Sequence, residues 1–184
     1  MHNDIAEVLH HETTILSRLD AMARDIMRDY KDKPLTVVAI LNGGLILMAD
    51  LLRRVQLPLK IETVSVASYH GGTESSGTIT FNQSRLPDLS GQHVILLDDI
   101  LDSGRTLHAI RERFAAECHP ESMRICVLLR KLKERSCAVS SDYTGFDIGD
   151  EFVVGYGLDY MGRYRNLPYI GVLKPEAIAA PTTP

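Results

Sequence analysis

The sequence predicts an α/β fold in which a mainly parallel, twisted sheet is flanked by helices. Three observations carry that expectation. Short apolar runs rich in β-branched residues, "LTVVAI" and "HVILL", read as strands buried on both faces. Each is followed by a segment of helical period, and strands alternating with helices imply parallel pairing. Turn residues, Asn42-Gly43-Gly44 and Asp102-Ser103-Gly104, stand at the two strand-to-helix junctions, and sheets of this kind gather ligands beyond their carboxyl ends.

The elements follow in order. "TTILSRLDAMARDIMRDY" puts Ile15, Leu19, Met22 and Ile26 on one helical face, with Thr13 or Thr14 as N-cap. "LTVVAI" is the first buried strand; Asn42-Gly43-Gly44 turns the chain into the helix "LILMADLLRRV". "LKIETVSVASY" alternates as a strand and leads into "HGGTESSGTITFNQSRLPDLSGQ", a polar, glycine-rich loop of a length that is uncommon unless it serves as a lid. "HVILL" is the next strand, "TLHAIRERFAAE" the next helix, and "SMRICVLLRK" and "EFVVGYGLDY" are further strands. The tail "AIAAPTTP" reads as frayed. Asn42 to Gly44, Asp98 to Thr106, Arg130-Lys131 and Asp159 are therefore expected to converge in space.

Composition bounds the possibilities. A chain of 184 residues is most simply one domain with a real core. Hydrophobic content of 45% and charged content of 24% are ordinary for a soluble globular protein. A net charge of -4 argues against a chain built to coat nucleic acid. Cys118, Cys126 and Cys137 lack any CxxC spacing and read as buried thiols in a reducing compartment. No secretory pattern opens the sequence, and its longest apolar run is broken by Asn42-Gly43-Gly44 and Asp50, so neither export nor a membrane span is expected. His10, His11, His70, His93, His108 and His119 form no pattern at metal-ligand spacing. A cytoplasmic location fits these features.

The informative stretch is "VILLDDILDSGRT", residues 94 to 106. Asp-Ser-Gly-Arg-Thr at a helix mouth offers backbone N–H groups and the hydroxyls of Ser103 and Thr106, with the positive end of the helix behind them. That combination suits a phosphate. Gly104 lets the backbone approach closely. Asp102 and Ser103 could equally cap the helix, the commoner use of such residues. Capping leaves Asp98-Asp99 unexplained, because two carboxylates ending a buried strand repel unless hydroxyls or a divalent cation compensate. Neither GxxxxGK[ST] nor GxGxxG is present.

"VILLDDILDSGRTL" resembles the phosphoribosyl-pyrophosphate motif of the type I phosphoribosyltransferases. "LNGGLILMADLLRRV", "SYHGG", "LLRK" and "EFVVGYGLDYMGRYRNLPYIGVL" are similar to successive landmarks of the hypoxanthine-guanine phosphoribosyltransferases, over roughly residues 5–175. The resemblance implies the type I fold: a single domain over 1–184, a small hood built from approximately 1–15 and 145–175, and a lid loop over approximately 68–90 that includes Ser68 and Tyr69. It implies that Asp98 and Asp99 hold the ribose hydroxyls, directly or through magnesium. Asp102, Ser103, Gly104, Arg105 and Thr106 would cradle the 5′-phosphate, and Asp102 would manage the purine N7 proton. Asn42 and Gly43 would meet pyrophosphate through backbone groups, at a peptide that is often cis in the family, and Arg165 would reach the same group. The family usually carries a basic residue where this chain has Asn42, which removes a charged contact and leaves the backbone one.

Lys131 would donate to the 6-oxo group of the purine, Phe152 would stack on the base, the Val153 backbone would meet its Watson–Crick edge, and Asp159 would carry a second magnesium through water. On residue type alone, Lys131 reads as an exposed lysine at a strand end, Phe152 as ordinary core and Asp159 as a turn residue. The implied function is salvage of hypoxanthine or guanine with 5-phosphoribosyl 1-pyrophosphate, giving IMP or GMP and pyrophosphate, with Mg2+ as cofactor. The implied partners are the purine base and phosphoribosyl pyrophosphate, without nucleic acid or membrane, in a homodimer or homotetramer. The competing readings are a related transferase preferring xanthine or a pyrimidine, and an RNA-binding regulator on the same fold.

Overall fold

The computed structural model describes residues 2–68, 79–82, 85–135 and 137–179. Its centre is a sheet whose parallel strands run in the order β3 (Leu59–Ser68), β2 (Leu35–Leu41), β5 (His93–Leu101), β6 (Ser122–Lys131) and β7 (Tyr143–Ile148). Inside the long polar loop, β4 (Ile79–Phe81) pairs antiparallel with the end of β3 and extends the edge. A second, antiparallel sheet joins β1 (Ile5–His10), β9 (Ile170–Leu173) and β8 (Val153–Val154) in the order β1-β9-β8.

The central strands are apolar throughout because both of their faces are covered. Val37 and Ala39 of β2, Ile95 and Leu97 of β5, and Cys126 and Leu128 of β6 belong to one core. Their neighbours Val38 and Ile40, Val94 and Leu96, and Ile125 and Val127 belong to the other. This is the two-residue alternation of a strand, with no solvent face left over. The first core receives α1 (Glu12–Asp29) and α2 (Leu45–Leu52), and the second receives α3 (Arg105–Glu117) through Leu107, Ile110 and Phe114. Ile15, Leu19, Met22 and Ile26 of α1 are each no more than 1% exposed. Burial of such side chains contributes about 1.5–3 kcal/mol each before entropy is counted. At the opposite end of α1, Arg124 donates to Asp29 at 2.7 Å and to the Tyr143 hydroxyl at 2.8 Å, while Tyr143 donates to Asp29 at 2.9 Å. This triad ties the helix to β6 and β7.

Several expectations are corrected. The N-cap of α1 is His11, ahead of Thr13 and Thr14, and it makes no side-chain capping bond. "EFVVGYGLDY" forms only the two-residue strand β8, which belongs to the small sheet; the outer strand of the main sheet is β7, which pairs with β6. Gly155 and Gly157 account for the break, with φ of +97° and +105° that no strand holds. The tail begins in a helix, α4 (Pro175–Ala179). Cys118 and Cys126 are buried as expected, but Cys137 is only partly buried. Burial pushes the Cys126 thiol up to about 12, so it stays protonated and inert. Among the described residues, no helix is long and apolar enough to cross a membrane.

Candidate active site

The site lies at the carboxyl ends of β5 and β6. β5 carries its extended conformation through Asp98 and Asp99 to Leu101, and the chain then turns at Asp102 to Gly104 into α3. Gly104 is the N-cap of α3 at φ +80°, a left-handed conformation that glycine adopts without steric cost. Having no side chain, it leaves the mouth of the helix without a capping acceptor of its own. Asp102 does not cap this helix, but Ser103 Oγ accepts from the Arg105 amide at 3.5 Å, so that part of the capping reading stands. Asp98 to Gly104, with Thr106 and Leu107, line a cavity of about 210 Å³.

A second cavity of about 200 Å³ adjoins it, sharing Asp99, Ile100 and Asp102, and is completed by Lys131, Phe152, Val153, Leu158 and Asp159. β8 and the turns that follow it thus roof the strand ends. Of the three side chains whose ordinary readings disagree with the resemblance, Lys131 and Phe152 are reversed here. Lys131 is only 8% exposed, and Phe152 is 43% exposed, with its ring edge-on to Tyr160 at 5.5 Å. A buried ammonium and an exposed aromatic ring on one cavity are what a planar polar ligand requires.

Asp98 is buried, and its carboxyl is held well above the ordinary range, first by desolvation and then by the charge of Asp99. Asp99 is also raised by desolvation, partly offset by hydrogen bonding to Asp98, by the Ile100 backbone and by the Arg165 charge. The Asp99 amide donates to Asp98 at 3.0 Å. Beside them the chain approaches closely: a Cβ on Gly43 would collide with the Asp99 carboxylate, and one on Gly157 with the Gly43 carbonyl. The peptide between Leu41 and Asn42 is cis, and Asn42 is exposed. Arg165 pairs with Asp159 at 2.6 Å and donates to the Gly157 carbonyl at 2.5 Å, which puts it next to the Asn42–Gly43 turn. Asp159 also accepts from the Gly162 amide at 2.7 Å.

Around Asp102 stands a group of charges that sequence reasoning only half found. Lys131 Nζ is 3.6 Å from Asp102 and 3.1 Å from Asp150; Lys133 Nζ is 2.6 Å from Asp102 and 2.9 Å from Asp150. Both carboxylates raise the affinity of Lys133 for its proton, Asp102 foremost. Lys133 and Asp150 were not foreseen. The available signal was the Lys-Leu-Lys spacing at a strand end, which in an extended chain would put Lys133 on the same face as Lys131. Of the lid residues, Ser68 ends β3 and Tyr69 lies outside the described residues, as does most of the loop.

An acidic pair and an anion-suited helix mouth at the strand ends fit a phosphoribosyl transferase, and the model of the phosphoribosyl transferase domain matches residues 6–161. A hypoxanthine-guanine phosphoribosyltransferase of Staphylococcus aureus (strain Mu50 / ATCC 700699) is 43% identical over 176 residues, which are 96% of this chain and 98% of that protein. One of Streptococcus pneumoniae (strain ATCC BAA-255 / R6) is 42% identical, covering 96% and 97%. The crystal structure of a hypoxanthine phosphoribosyltransferase from S. aureus superposes with a TM-score of 0.92 at 42% identity, covering 98% of this chain and 97% of that one. The chain belongs to the hypoxanthine-guanine phosphoribosyltransferase family.

Proposed function

We propose that this protein is a magnesium-dependent purine salvage enzyme that joins hypoxanthine or guanine to 5-phosphoribosyl 1-pyrophosphate, releasing IMP or GMP and pyrophosphate. The observation that carries the reading is the pair of adjoining cavities, one at the Gly104 turn and one between Lys131 and Phe152, with Asp99 and Asp102 common to both. That layout suits a ligand whose phosphate and base are joined by a ribose.

In this reading the loop from Asp102 to Thr106 takes the 5′-phosphate at the mouth of α3, where N–H groups and the helix dipole favour an anion. Asp98 and Asp99 accept from the ribose hydroxyls. The purine stacks on Phe152, its edge meets the Val153 backbone, and its 6-oxo group accepts from Lys131. The Asn42–Gly43 backbone and Arg165 receive pyrophosphate. A purine ring nitrogen then bonds to C1 of the ribose as the C1–oxygen bond breaks, and pyrophosphate leaves with the electron pair. The ring proton lost by the base is taken up or held by Asp102. No side chain attacks the sugar; the rate comes from positioning and from charge placement.

The donor set fits magnesium. Asp98, Asp99 and Asp159 are hard oxygen ligands, and burial disfavours the charged form of the Asp98–Asp99 pair, which a divalent cation would restore. Bound there, magnesium would neutralise charge on the leaving group. The segment 68–90 is proposed as the lid that excludes water, and the small sheet with its flanking turns as the hood. The buried thiols of Cys118 and Cys126 support a reducing, cytoplasmic location. Symmetric assembly into a homodimer or homotetramer completes the proposal; light scattering tests it.

Pyrophosphate release with magnesium, phosphoribosyl pyrophosphate and each base in turn tests the function. Hypoxanthine and guanine should turn over. Turnover of uracil or xanthine without hypoxanthine, or RNA binding with no turnover of any base, would overturn the proposal.

A further inference from the structure

We propose that Lys133 is a positioning residue of this reaction, acting through the Asp102 carboxylate. The inference rests on the function proposed above and adds a residue that the family motif does not include. β6 ends at Lys131, and the Leu132 amide continues the ladder by donating to the Ile148 carbonyl at 2.9 Å. The chain then bends at Lys133, just past that last ladder bond. Leu132 is left exposed while both lysines reach the same two carboxylates.

The distances rank the two cations. Lys133 lies 2.6 Å from Asp102 Oδ1, an ion pair without hydrogen-bond geometry, and Lys131 lies 3.6 Å from Oδ2. Lys133 is thus the nearer cation to the Asp102 carboxylate. Asp150 is shared almost evenly, at 2.9 Å from Lys133 and 3.1 Å from Lys131. The other charged groups nearby are engaged elsewhere or belong to the sugar side. Arg135 donates to the Lys131 carbonyl at 2.8 Å, Asp159 pairs with Arg165, and Asp99 borders the same cavity.

Two ammonium groups balance two carboxylates, and the balance has a consequence when a base arrives. Lys131 must turn a donor toward the 6-oxo group. With Lys133 in place, Asp102 and Asp150 each keep a close cation while it does so. Without Lys133, Lys131 is left to serve both carboxylates and the base at once, and Asp102 loses the contact that aims it at the ring proton. The side chain of Lys133 is 34% exposed, so replacing it with an uncharged residue of similar length leaves no buried void.

The test is a double-mutant cycle of Lys133→Met and Asp102→Asn, read as kcat for hypoxanthine at saturating phosphoribosyl pyrophosphate. Thermal unfolding of each variant is checked alongside. Lys133→Met should lower kcat about ten-fold, the size expected for a lost charge-assisted contact. The KM for phosphoribosyl pyrophosphate should stay within about two-fold, and Lys133→Arg should recover most of the loss. In the Asp102→Asn background, Lys133→Met should cost less than about two-fold, because the group through which Lys133 acts is gone. An equal fall in both backgrounds, an unchanged kcat, or an arginine variant no better than methionine would overturn the proposal. A wild-type protein that turns over no purine would instead remove the reaction on which it rests.

Discussion

In the proposed reading, Lys131 selects which bases the cavity accepts. An ammonium group carries donors only, so a 6-oxo purine satisfies it, whereas the amino group of adenine would set donor against donor in a place with little water. Sites of that kind reject an analogue far better than apolar pockets do, because a mismatch leaves a buried polar group unpaired. Lys131→Ala should lower kcat/KM for hypoxanthine by about 100-fold and raise the relative use of adenine. Competition between the two bases measures this, and an unaltered preference ratio would show that Lys131 does not read the ring. Its burial was not legible from residue type. Lysine at a strand end is usually solvated, and only the tertiary fold makes Lys131 an interior residue. Phe152 is the mirror case, an aromatic left exposed on the cavity instead of buried.

Among the elements, β2, β5 and β6 were legible because both faces are buried and their apolar runs are unbroken. β7, "YTGFDI", was not: Gly145 and Asp147 interrupt it, and as an outer strand it carries Arg130–Asp147 pairing on its surface. β8 is held by pairing with β9 rather than by any pattern of its own. The small sheet is fastened to the large one by the contact of β1 with β7, where the His10 ring stacks on Phe146 at 3.9 Å. Burial lowers the affinity of His10 for a proton below its ordinary pKa of 6.5. The unfolded chain therefore binds more protons than the folded one just below that pH, and stability falls as pH drops through the window. Urea unfolding at pH 7.5 and pH 5.5 should show a smaller acid loss in His10→Phe than in the wild type. Equal losses would mean that His10 titrates the same way in both states.

At the scale of the whole molecule, one polypeptide places three chemistries at one end of a sheet. β5 delivers the acidic pair and the turn into α3, β6 and the residues just after it carry Lys131 and Lys133, and the chain from Phe152 to Arg165 returns beside them. The first of these was readable as a motif because it is continuous in sequence. The charge cluster of Asp102, Lys131, Lys133 and Asp150 was not, since it exists only once β6 and the β7–β8 turn are brought beside the β5–α3 turn. The central claim is that the two adjoining cavities hold the two ends of a single mononucleotide. A crystal structure of the protein with IMP tests it most directly. The phosphate should lie against the Ser103–Thr106 backbone, with the base between Lys131 and Phe152. A phosphate bound anywhere else, or a base outside that cavity, would contradict it.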